Sequence, residues 1–194
     1  MSHDPTILPP GLPVPVDDGA CAHLPGTPLP PVALAATQGG TVRLDQPPAD
    51  VDRLIVYAYP RTAVPGEAPL VADWDLIPGA RGCTPESCGF RDHADDLRVA
   101  GATVMGLSTQ DTEYQREAAE RLHLPFPLLS DADHALTDAL RLPTFDAAGE
   151  RLLKRLTLVI RDGVIEHCFY PVFPPDRHAE QVLTWLRDRQ SATS

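Results

Sequence analysis

The feature that most constrains the fold is an alternation of short apolar runs with longer amphipathic segments along most of the chain. The apolar runs are rich in β-formers, so we predict strands at residues 54–59, 103–107 and 127–129. The segments between them carry apolar residues at helical spacing, which predicts helices over residues 84–98 and 111–122. Strands that alternate with helices indicate an α/β fold, in which helices cover both faces of a central sheet.

Two hairpin patterns add antiparallel strands to this sheet. Their strands span residues 32–37 with 41–44, and residues 152–160 with 164–170. The turns contain Gly39-Gly40 and Asp162-Gly163, which favour tight hairpin connections. A capping-box pattern at residues 130–133 and the run at residues 174–176 predict the starts of two more helices, the first ending at Leu140. The sheet should therefore be mixed rather than purely parallel.

Proline is distributed unevenly, with nine of the 22 prolines in the first 31 residues. Prolines at this density fix φ and remove backbone donors, so residues 1–31 are predicted to form an extended N-terminal arm. A disordered tail is the alternative. Residues 32–190 are predicted to form one domain, and residues 61–82 a long irregular loop inserted in it, because that stretch holds six prolines and glycines.

The charge balance disfavours several classes of function. The chain has 16 lysines and arginines against 27 aspartates and glutamates, and a net charge of −11 disfavours nucleic acid and anionic lipid as partners. No apolar run approaches the roughly 18 residues of a membrane span, and the first residues lack the pattern of a secretory signal. We therefore expect a cytoplasmic protein whose four cysteines are reduced unless one pair is catalytic.

One segment, from Gly82 to Asp92, places a cysteine where its thiolate is favoured. A glycine-rich loop precedes the segment, so we expect Cys83 at the N-terminus of the helix that follows. Unpaired N–H groups and the positive end of the helix dipole stabilise an anion there. Such positions lower a cysteine pKa from about 8.5 into roughly the 3.5–7.5 range. Because a thiolate attacks peroxide oxygen and becomes a sulfenic acid, Cys83 is a candidate catalytic residue.

The spacing of Cys83 and Cys88 limits how the two thiols can react with each other. Five residues on an α-helix separate the two Cα atoms by roughly 8.5–9 Å, whereas a disulfide tolerates at most about 6.8 Å. The pair can therefore bond only if the first turns of the helix unwind. A C-x-x-C pair would need no such change, so a thioredoxin-like reductase is the weaker interpretation. A zinc site with His93 is disfavoured as well, because these spacings put the side chains on different helix faces.

Four segments in order resemble the peroxiredoxins, specifically the peroxiredoxin Q (bacterioferritin comigratory protein) type. They are residues 82–92, which read Gly-Cys-Thr-x-Glu-x-Cys-x-Phe-Arg-Asp, residues 106–108 with Asp111, residues 124–131, and residues 155–165. The resemblance covers about residues 32–188. It implies a thioredoxin-like fold with a central mixed β-sheet flanked by helices.

The resemblance also implies an activity and the residues that perform it. The activity is the reduction of hydrogen peroxide and organic hydroperoxides without a metal or flavin cofactor. Cys83 would be the peroxidatic cysteine, Cys88 the resolving one, and Arg155 the guanidinium that lies beside the thiolate and polarises the peroxide. A thioredoxin-like or glutathione-linked dithiol protein would reduce the intramolecular Cys83–Cys88 disulfide. The enzyme would be a monomer or a weak homodimer.

The chain departs from the family pattern at the hydroxyl that usually binds the peroxide. The family has Thr or Ser three residues before the peroxidatic cysteine, but Ala80 occupies that position here. Two alternatives stay open, because the loop at residues 61–82 resembles an insertion. Either the chain after Pro60 folds back so that Thr62 supplies the hydroxyl, or Pro78 takes the place of Pro60 and the hydroxyl is lost.

Several other residues have competing interpretations. Glu86 either hydrogen-bonds Arg155, as an acid at this position often does in the family, or is a solvent-facing acid at the favourable end of a helix. Arg81 is a rival to Arg155 as the cation beside the thiolate. Cys21 and Cys168 are expected to be structural, with Cys21 as an alternative second resolving thiol.

Two other functions on the same fold are alternatives to the peroxidase. A thiol–disulfide oxidoreductase would reduce insulin, whereas a peroxidase should be nearly inert in that assay. A redox sensor or chaperone-like binding module would turn peroxide over slowly and would associate with a partner only after oxidation.

Overall fold

The computed structural model describes residues 6–192, which form nine β-strands and five α-helices. The strands are β1 (Ala33–Ala36), β2 (Thr41–Arg43), β3 (Arg53–Ala58), β4 (Ala102–Ser108), β5 (Leu128–Ser130), β6 (Thr144–Ala147), β7 (Glu150–Leu153), β8 (Leu156–Arg161) and β9 (Val164–Phe169). The helices are α1 (Cys83–Asp92), α2 (Ala94–Val99), α3 (Thr112–Arg121), α4 (Ala135–Leu140) and α5 (His178–Ser191). Within the described part of the chain, no helix is both long and apolar enough to cross a membrane.

Seven of these strands build one mixed sheet in the order β2-β1-β5-β4-β3-β8-β9. The central pairs β3–β4 and β4–β5 are parallel, whereas β1, β2, β8 and β9 enter the sheet through antiparallel pairs. Every residue of β3 is buried, because both faces of the sheet are covered. The predicted mixed sheet and its closing hairpin are therefore confirmed.

Successive residues of β3 point into two separate apolar layers, as the alternation of a strand requires. The first, here called the α4 layer, contains Leu54 and Val56 together with Leu136 and Leu140 of α4. The second, the α1 layer, is filled by Ile55, Tyr57 and Tyr59 and by side chains of α1, α2 and α5. Cys83 belongs to the α1 layer, so the candidate catalytic residue lies on one defined face of the sheet.

The described part of the proline-rich segment, residues 6–31, contains no helix or strand. Its second half is nevertheless packed, because Cys21, Leu24 and Leu29 are buried in the α4 layer. Pro28 also forms an isolated bridge with Val164 of β9. These contacts make the second half of the segment part of the hydrophobic core rather than a tail.

The β6–β7 hairpin is a feature that the sequence does not predict. A single strand is expected over residues 152–160, but the structure divides it into β7 and β8 and pairs β7 with β6 in a separate two-stranded sheet. The turn of this hairpin is Ala148-Gly149, with both residues at positive φ. Such turns are recognised in a sequence by Asn or Asp before the glycine. Ala148 carries no such signal, which explains why the hairpin is not predicted.

The start of α4 differs from the predicted capping box in the residue that caps it. Asp131, which is fully buried, accepts the backbone N–H groups of Leu136 at 2.9 Å and Thr137 at 2.8 Å. Ser130 instead donates its hydroxyl to a backbone carbonyl of the β4–α3 loop. A carboxylate can accept two backbone donors at once, which makes Asp131 the stronger cap.

The loop at residues 61–82 is irregular, as predicted, apart from a short 3-10 turn at Trp74–Leu76. Trp74 and Ala80 are buried against Ala147 and Leu152 of the β6–β7 hairpin, so the loop has a small apolar cluster of its own. Between this loop and α3 lies a cavity of about 630 Å³, here called the loop cavity. Its lining includes Arg61, Trp74, Arg81 and Tyr114.

Candidate active site

Cys83 is the first residue of α1, which is where the sequence places it. The preceding Gly82 has a φ of 111°, in the left-handed region that favours glycine. A Cβ atom at this position would lie 2.4 Å from Cγ of Pro175. The chain can therefore enter α1 at this angle only through a glycine. The result is a cysteine that is 4% exposed at the positive end of a helix.

The tyrosine at the middle of β3 fixes α1 against the sheet. The rings of Tyr57 and Phe90 stack with centroids 4.6 Å apart, and the hydroxyl of Tyr57 donates to Oγ of Ser87 at 3.0 Å. All three residues are fully buried, so these contacts hold the wound α1 against the sheet. The helix predicted over residues 84–98 breaks at His93 into α1 and α2, beyond these contacts.

Arg155, between β7 and β8, is the cation that contacts Cys83. Its Nη2 donates to Sγ of Cys83 at 3.1 Å, and its side chain is 1% exposed. It also donates to three carbonyl oxygens at the end of the inserted loop, those of Gly79 at 3.2 Å, Ala80 at 3.3 Å and Arg81 at 3.4 Å. One guanidinium thus holds both the reactive sulfur and the loop beside it, which requires several donors in a fixed plane.

Glu86 is the buried partner of this arginine. It is 0% exposed and accepts a hydrogen bond from Nη1 of Arg155 with its Oε2, while its Oε1 has no hydrogen-bond partner among residues 6–192. Burial raises the pKa of Glu86 to about 7, although the attraction of Arg155 acts in the opposite direction. The side chain is therefore not the solvent-facing acid that the sequence leaves open, and it changes charge near neutral pH.

We expect Glu86→Gln to remove one inflection from the pH dependence of the reaction with peroxide. As the pH rises through about 7, the ionising carboxylate of Glu86 competes with the sulfur of Cys83 for the charge of Arg155. Glutamine has nearly the same shape but cannot ionise. The oxidation rate, measured by stopped flow between about pH 5 and 9, should therefore show no inflection near pH 7 in the variant.

Two further measurements constrain this prediction. The control variant Asp75→Asn removes a carboxylate that pairs with Arg81 instead, so it should keep the inflection. Because burial raises the folded-state pKa of Glu86, the folded protein holds this proton more tightly than the unfolded chain. The contribution of this proton to the free energy of unfolding is fully present below the pKa of an unfolded glutamate and is lost as the pH rises through about 7. Glu86→Gln should abolish this loss of stability. An unchanged inflection in Glu86→Gln would assign it to another group.

Cys88 also lies on α1, but it is not one of the side chains that form the α1 layer around Cys83. Its thiol is partly buried beside Arg91, and burial raises the pKa of the Cys88 thiol. All four cysteines in the described part of the chain are free, and α1 is wound from Cys83 onward. This arrangement is the reduced state, in which the helix keeps the two thiols of the motif apart.

Two other candidate residues have different partners from those that the sequence suggests. The hydroxyl of Thr62 donates to Oε1 of Gln110 at 3.1 Å, and the same oxygen accepts the backbone N–H of Thr62 at 2.9 Å. The side chain of Arg81 pairs with Asp75 at 3.5 Å and lines the loop cavity. Arg155 is therefore the arginine in contact with the sulfur of Cys83, and Arg81 contributes its backbone carbonyl only.

The sequence does not indicate the buried polar contacts that support the site. Tyr57 and Ser87 lie in predicted elements and Gln110 lies between two of them, but nothing in their spacing shows which polar groups they contact. The one usable signal is a tyrosine within an otherwise apolar run, since a buried hydroxyl needs a partner. Among residues 6–192, no three His, Cys, Asp or Glu side chains converge closely enough to hold a metal ion.

Comparisons with known proteins give consistent similarities. A family model described as Redoxin matches residues 24–183 of the chain. Peroxiredoxin Bcp of Escherichia coli strain K12 is 34% identical over 145 residues, which span 70% of this chain and 79% of that protein. The chloroplastic peroxiredoxin Q of Sedum lineare is 27% identical over 162 residues, which span 84% of this chain and 77% of that protein.

A solved structure extends the similarity to the fold. The crystal structure of peroxidoxin BcpB from Mycobacterium tuberculosis matches 86% of this chain and 98% of its own, with a TM-score of 0.67 and 26% identity. The expected thioredoxin-like fold, with its central mixed sheet and flanking helices, is therefore confirmed.

Proposed function

The chain belongs to the redoxin family, among its peroxiredoxins of the Bcp and Q type, and we propose that Cys83 is the peroxidatic sulfur of this thiol-dependent peroxidase. Its substrates are hydrogen peroxide and organic hydroperoxides. The observation that carries the proposal is the position of Sγ of Cys83, at the N-terminus of α1 and 3.1 Å from Nη2 of Arg155. The helix dipole and a charge-assisted hydrogen bond both favour negative charge on that sulfur.

The first step is an attack of the Cys83 thiolate on the terminal oxygen of the peroxide. A sulfur–oxygen bond forms, the oxygen–oxygen bond breaks, and the leaving alkoxide or hydroxide takes a proton to become an alcohol or water. Arg155 supports the step because its fixed donors can bind the charge that moves from sulfur to the leaving oxygen. The product on the protein is a sulfenic acid at Cys83.

In the second step the thiol of Cys88 attacks the sulfenic acid, a disulfide forms and water leaves. The first turns of α1 must unwind for this, because a wound helix holds the two Cα atoms too far apart. Gly89, the residue after Cys88, favours unwinding here, because glycine gains more chain entropy than any other residue when a helix opens.

We expect Gly89→Ala to slow disulfide formation about fivefold without slowing the first oxidation. A Cβ at this position would meet the carbonyl oxygen of Asp176 at 3.5 Å and Cβ of Ala179 at 3.7 Å, which are ordinary contacts. Alanine stabilises a helix interior by about 1 kcal/mol relative to glycine, so the wound state becomes harder to open. Quenched-flow alkylation measures both steps, and the first step serves as the internal control. Equal rates of resolution in both proteins would argue against unwinding.

Cys88→Ser should stop the reaction after one oxidation. The variant still has Cys83, Arg155 and the wound α1, so it should consume one equivalent of peroxide at the rate of the unmodified protein. Without the resolving thiol the sulfenic acid persists, and a dimedone adduct at Cys83 should be found by mass spectrometry. Full recycling by a dithiol reductant in this variant would show that another group resolves the intermediate.

The loop cavity and Thr62 enter the proposal as parts of the peroxide site. The loop cavity begins at Arg81, two residues before Cys83, and its partly apolar lining suits the organic part of a hydroperoxide. Thr62 is our candidate for the hydroxyl that binds the peroxide, and the peroxide would then replace Gln110 as its partner. An unchanged KM for peroxide in Thr62→Val would remove Thr62 from the site.

The reductant is a thioredoxin-like or glutathione-linked dithiol protein, which attacks the disulfide after α1 has unwound and exposed it. Such a reductant, together with free thiols, corresponds to a cytoplasmic location. We infer a monomer or a weak homodimer, and sedimentation of the reduced and oxidised protein tests this. A dimer that persists at nanomolar concentration would contradict it.

The proposal predicts peroxide turnover with a dithiol and little reduction of insulin. A thiol–disulfide oxidoreductase needs an exposed attacking sulfur, whereas Cys83 is 4% exposed. Such an oxidoreductase also works best when its two thiols can form a disulfide without local unfolding. Cys83 and Cys88 cannot do so while α1 is wound. Rapid insulin reduction with slow peroxide turnover would favour the oxidoreductase over the peroxidase.

A further inference from the structure

Two cysteines outside the peroxidase site lie together on the opposite face of the sheet. Cys21 of the N-terminal segment is buried in the α4 layer, and Cys168 of β9 packs against the same layer. Cys168 is the neighbour that acts most strongly on the thiol of Cys21, so the two side chains lie close together within this layer. Cys168 is also partly exposed, whereas Cys21 is buried. The described structure therefore contains a second pair of adjacent thiols, contributed by segments far apart in sequence.

Contacts on both sides of the pair hold the two thiols opposite each other. Three hydrogen bonds join residues 26–29 to β9 and the turn before it: Gly26 N to Ile165 O at 2.7 Å, Ile165 N to Thr27 O at 3.0 Å, and Leu29 N to Gly163 O at 2.9 Å. On the other side, the hydroxyl of Tyr170 donates to Asp18 at 2.8 Å, and Lys154 pairs with Asp18 at 2.9 Å. Cys21 lies between these two sets of contacts, so its position opposite Cys168 is fixed by the fold.

This pair cannot take part in the reaction of Cys83 while the domain is folded. Cys83 belongs to the α1 layer, and the central sheet separates that layer from Cys21 and Cys168. The alternative that Cys21 resolves the sulfenic acid of Cys83 is therefore disfavoured by the geometry. The second pair must have a role that does not require direct exchange with the first.

We propose that Cys21 and Cys168 form a second oxidisable dithiol, which closes into a disulfide and fastens the N-terminal segment to β9 when peroxide is in excess. The chemistry needs only the substrate of the enzyme. Cys168 attacks the peroxide, a sulfur–oxygen bond forms, the oxygen–oxygen bond breaks, and an alcohol or water leaves. Cys21 then attacks the sulfenic acid of Cys168, the disulfide forms and a molecule of water leaves.

The surroundings of the pair make this oxidation slower than that of Cys83. The neighbouring Cys168 and burial raise the pKa of the Cys21 thiol. The charged groups that act on this thiol are the carboxylates of Asp17 and Asp18, which disfavour a thiolate, whereas Cys83 has a guanidinium and a helix N-terminus beside it. Thiolate is the reactive form of cysteine, so the second pair should react only after the catalytic cycle is saturated.

A disulfide at this place should stabilise the domain. It would join the N-terminal segment to β9 across most of the chain, and a link that closes a long loop removes much of the freedom of the unfolded state. We expect the melting temperature to rise by about 5–10 °C on oxidation and to return on reduction. The disulfide would also prevent the N-terminal segment from separating from the sheet under oxidative conditions.

The test uses the full chain with both catalytic cysteines replaced, Cys83→Ser with Cys88→Ser, so that only the second pair can oxidise. After treatment with excess hydrogen peroxide and alkylation, tryptic digestion should yield peptide 1–43 linked to peptide 162–177. The linkage should appear together with the rise in melting temperature, and dithiothreitol should reverse both. The unsubstituted chain, treated in the same way, should yield the same linked peptides, so the test does not depend on how well the variant folds.

Cys21→Ala in the otherwise unchanged chain is the matched control. It should give no linked peptide and no rise in melting temperature, while it consumes peroxide with a dithiol at the normal rate. Two results would overturn the proposal: both thiols still alkylated after excess peroxide, or Cys168 oxidised to a sulfinic acid without linkage to Cys21. Failure of the proposed peroxidase would appear in peroxide consumption and not in this linkage, so the two outcomes are distinguishable.

Discussion

Cys83→Ser should lower peroxidase activity by at least about 10⁴-fold, a loss of the size that follows removal of an enzyme nucleophile. The hydroxyl of serine does not ionise near neutral pH, so neither the helix dipole nor Arg155 can convert it into an anion that attacks peroxide. The substitution is nearly isosteric at a position that is 4% exposed, so the fold should persist. The measurement is peroxide consumption with a dithiol reductant, together with the circular dichroism spectrum.

The controls for this prediction are the two cysteines on the other side of the sheet. Cys21→Ser and Cys168→Ser remove thiols in the α4 layer, away from Cys83, and should leave peroxide consumption within about twofold of normal. Activity retained in Cys83→Ser, or lost equally in all three variants, would contradict the assignment of the nucleophile.

Arg155→Met should lower kcat/KM for peroxide by about 10²- to 10³-fold, the usual cost of removing a donor that binds developing negative charge. Methionine fills much of the volume but leaves Cys83 without its 3.1 Å contact. It also leaves the buried Glu86 without its partner, and breaking a buried ion pair on one side costs up to about 3–5 kcal/mol of stability, less once the carboxyl takes up a proton. Stopped-flow oxidation and urea unfolding measure the two effects separately.

A second variant separates catalysis from folding at this position. Arg155→Met combined with Glu86→Gln removes the unpaired carboxylate, so stability should be largely restored while activity stays low. Arg81→Met is the matched control, since that arginine lies next to the same loop but pairs with Asp75. A loss in Arg81→Met as large as that in Arg155→Met would contradict the assignment of the catalytic cation.

Much of the fold could be predicted from the sequence because the apolar pattern is strong where the sheet is central. The strand at residues 54–59 is buried on both faces and reads as one apolar run, and the structure has β3 there. The β6–β7 hairpin lacks such a signal, since its strands are short and Ala148 replaces the usual turn residue. Prediction therefore fails where the structure depends on a turn that has no sequence preference of its own.

In the active site too, features that depend on neighbouring residues in the sequence could be predicted, whereas most contacts between distant residues could not. The position of Cys83 at the start of a helix is predicted from one contiguous segment of the sequence. The family resemblance predicts the roles of Cys88 and Arg155. The hydrogen bond of Glu86 to Arg155 is one of the two alternatives that the sequence leaves open, and the structure selects it across 69 residues of sequence. The hydrogen bond of Thr62 to Gln110 depends on how the inserted loop folds, which no pattern in the chain determines. These contacts are set by tertiary packing, and only the structure reveals them.

Peptide mapping of the peroxide-treated, unsubstituted protein tests most directly whether Cys88 captures the oxidised Cys83 after α1 unwinds. Trypsin releases both residues in one peptide, residues 82–91. After one equivalent of hydrogen peroxide and blocking of free thiols, that peptide should be two hydrogen atoms lighter and should carry no blocking group, and a reductant should reverse the change. A peptide in which Cys88 is still alkylated while Cys83 carries a sulfenic acid, or is linked to another cysteine, would contradict the account.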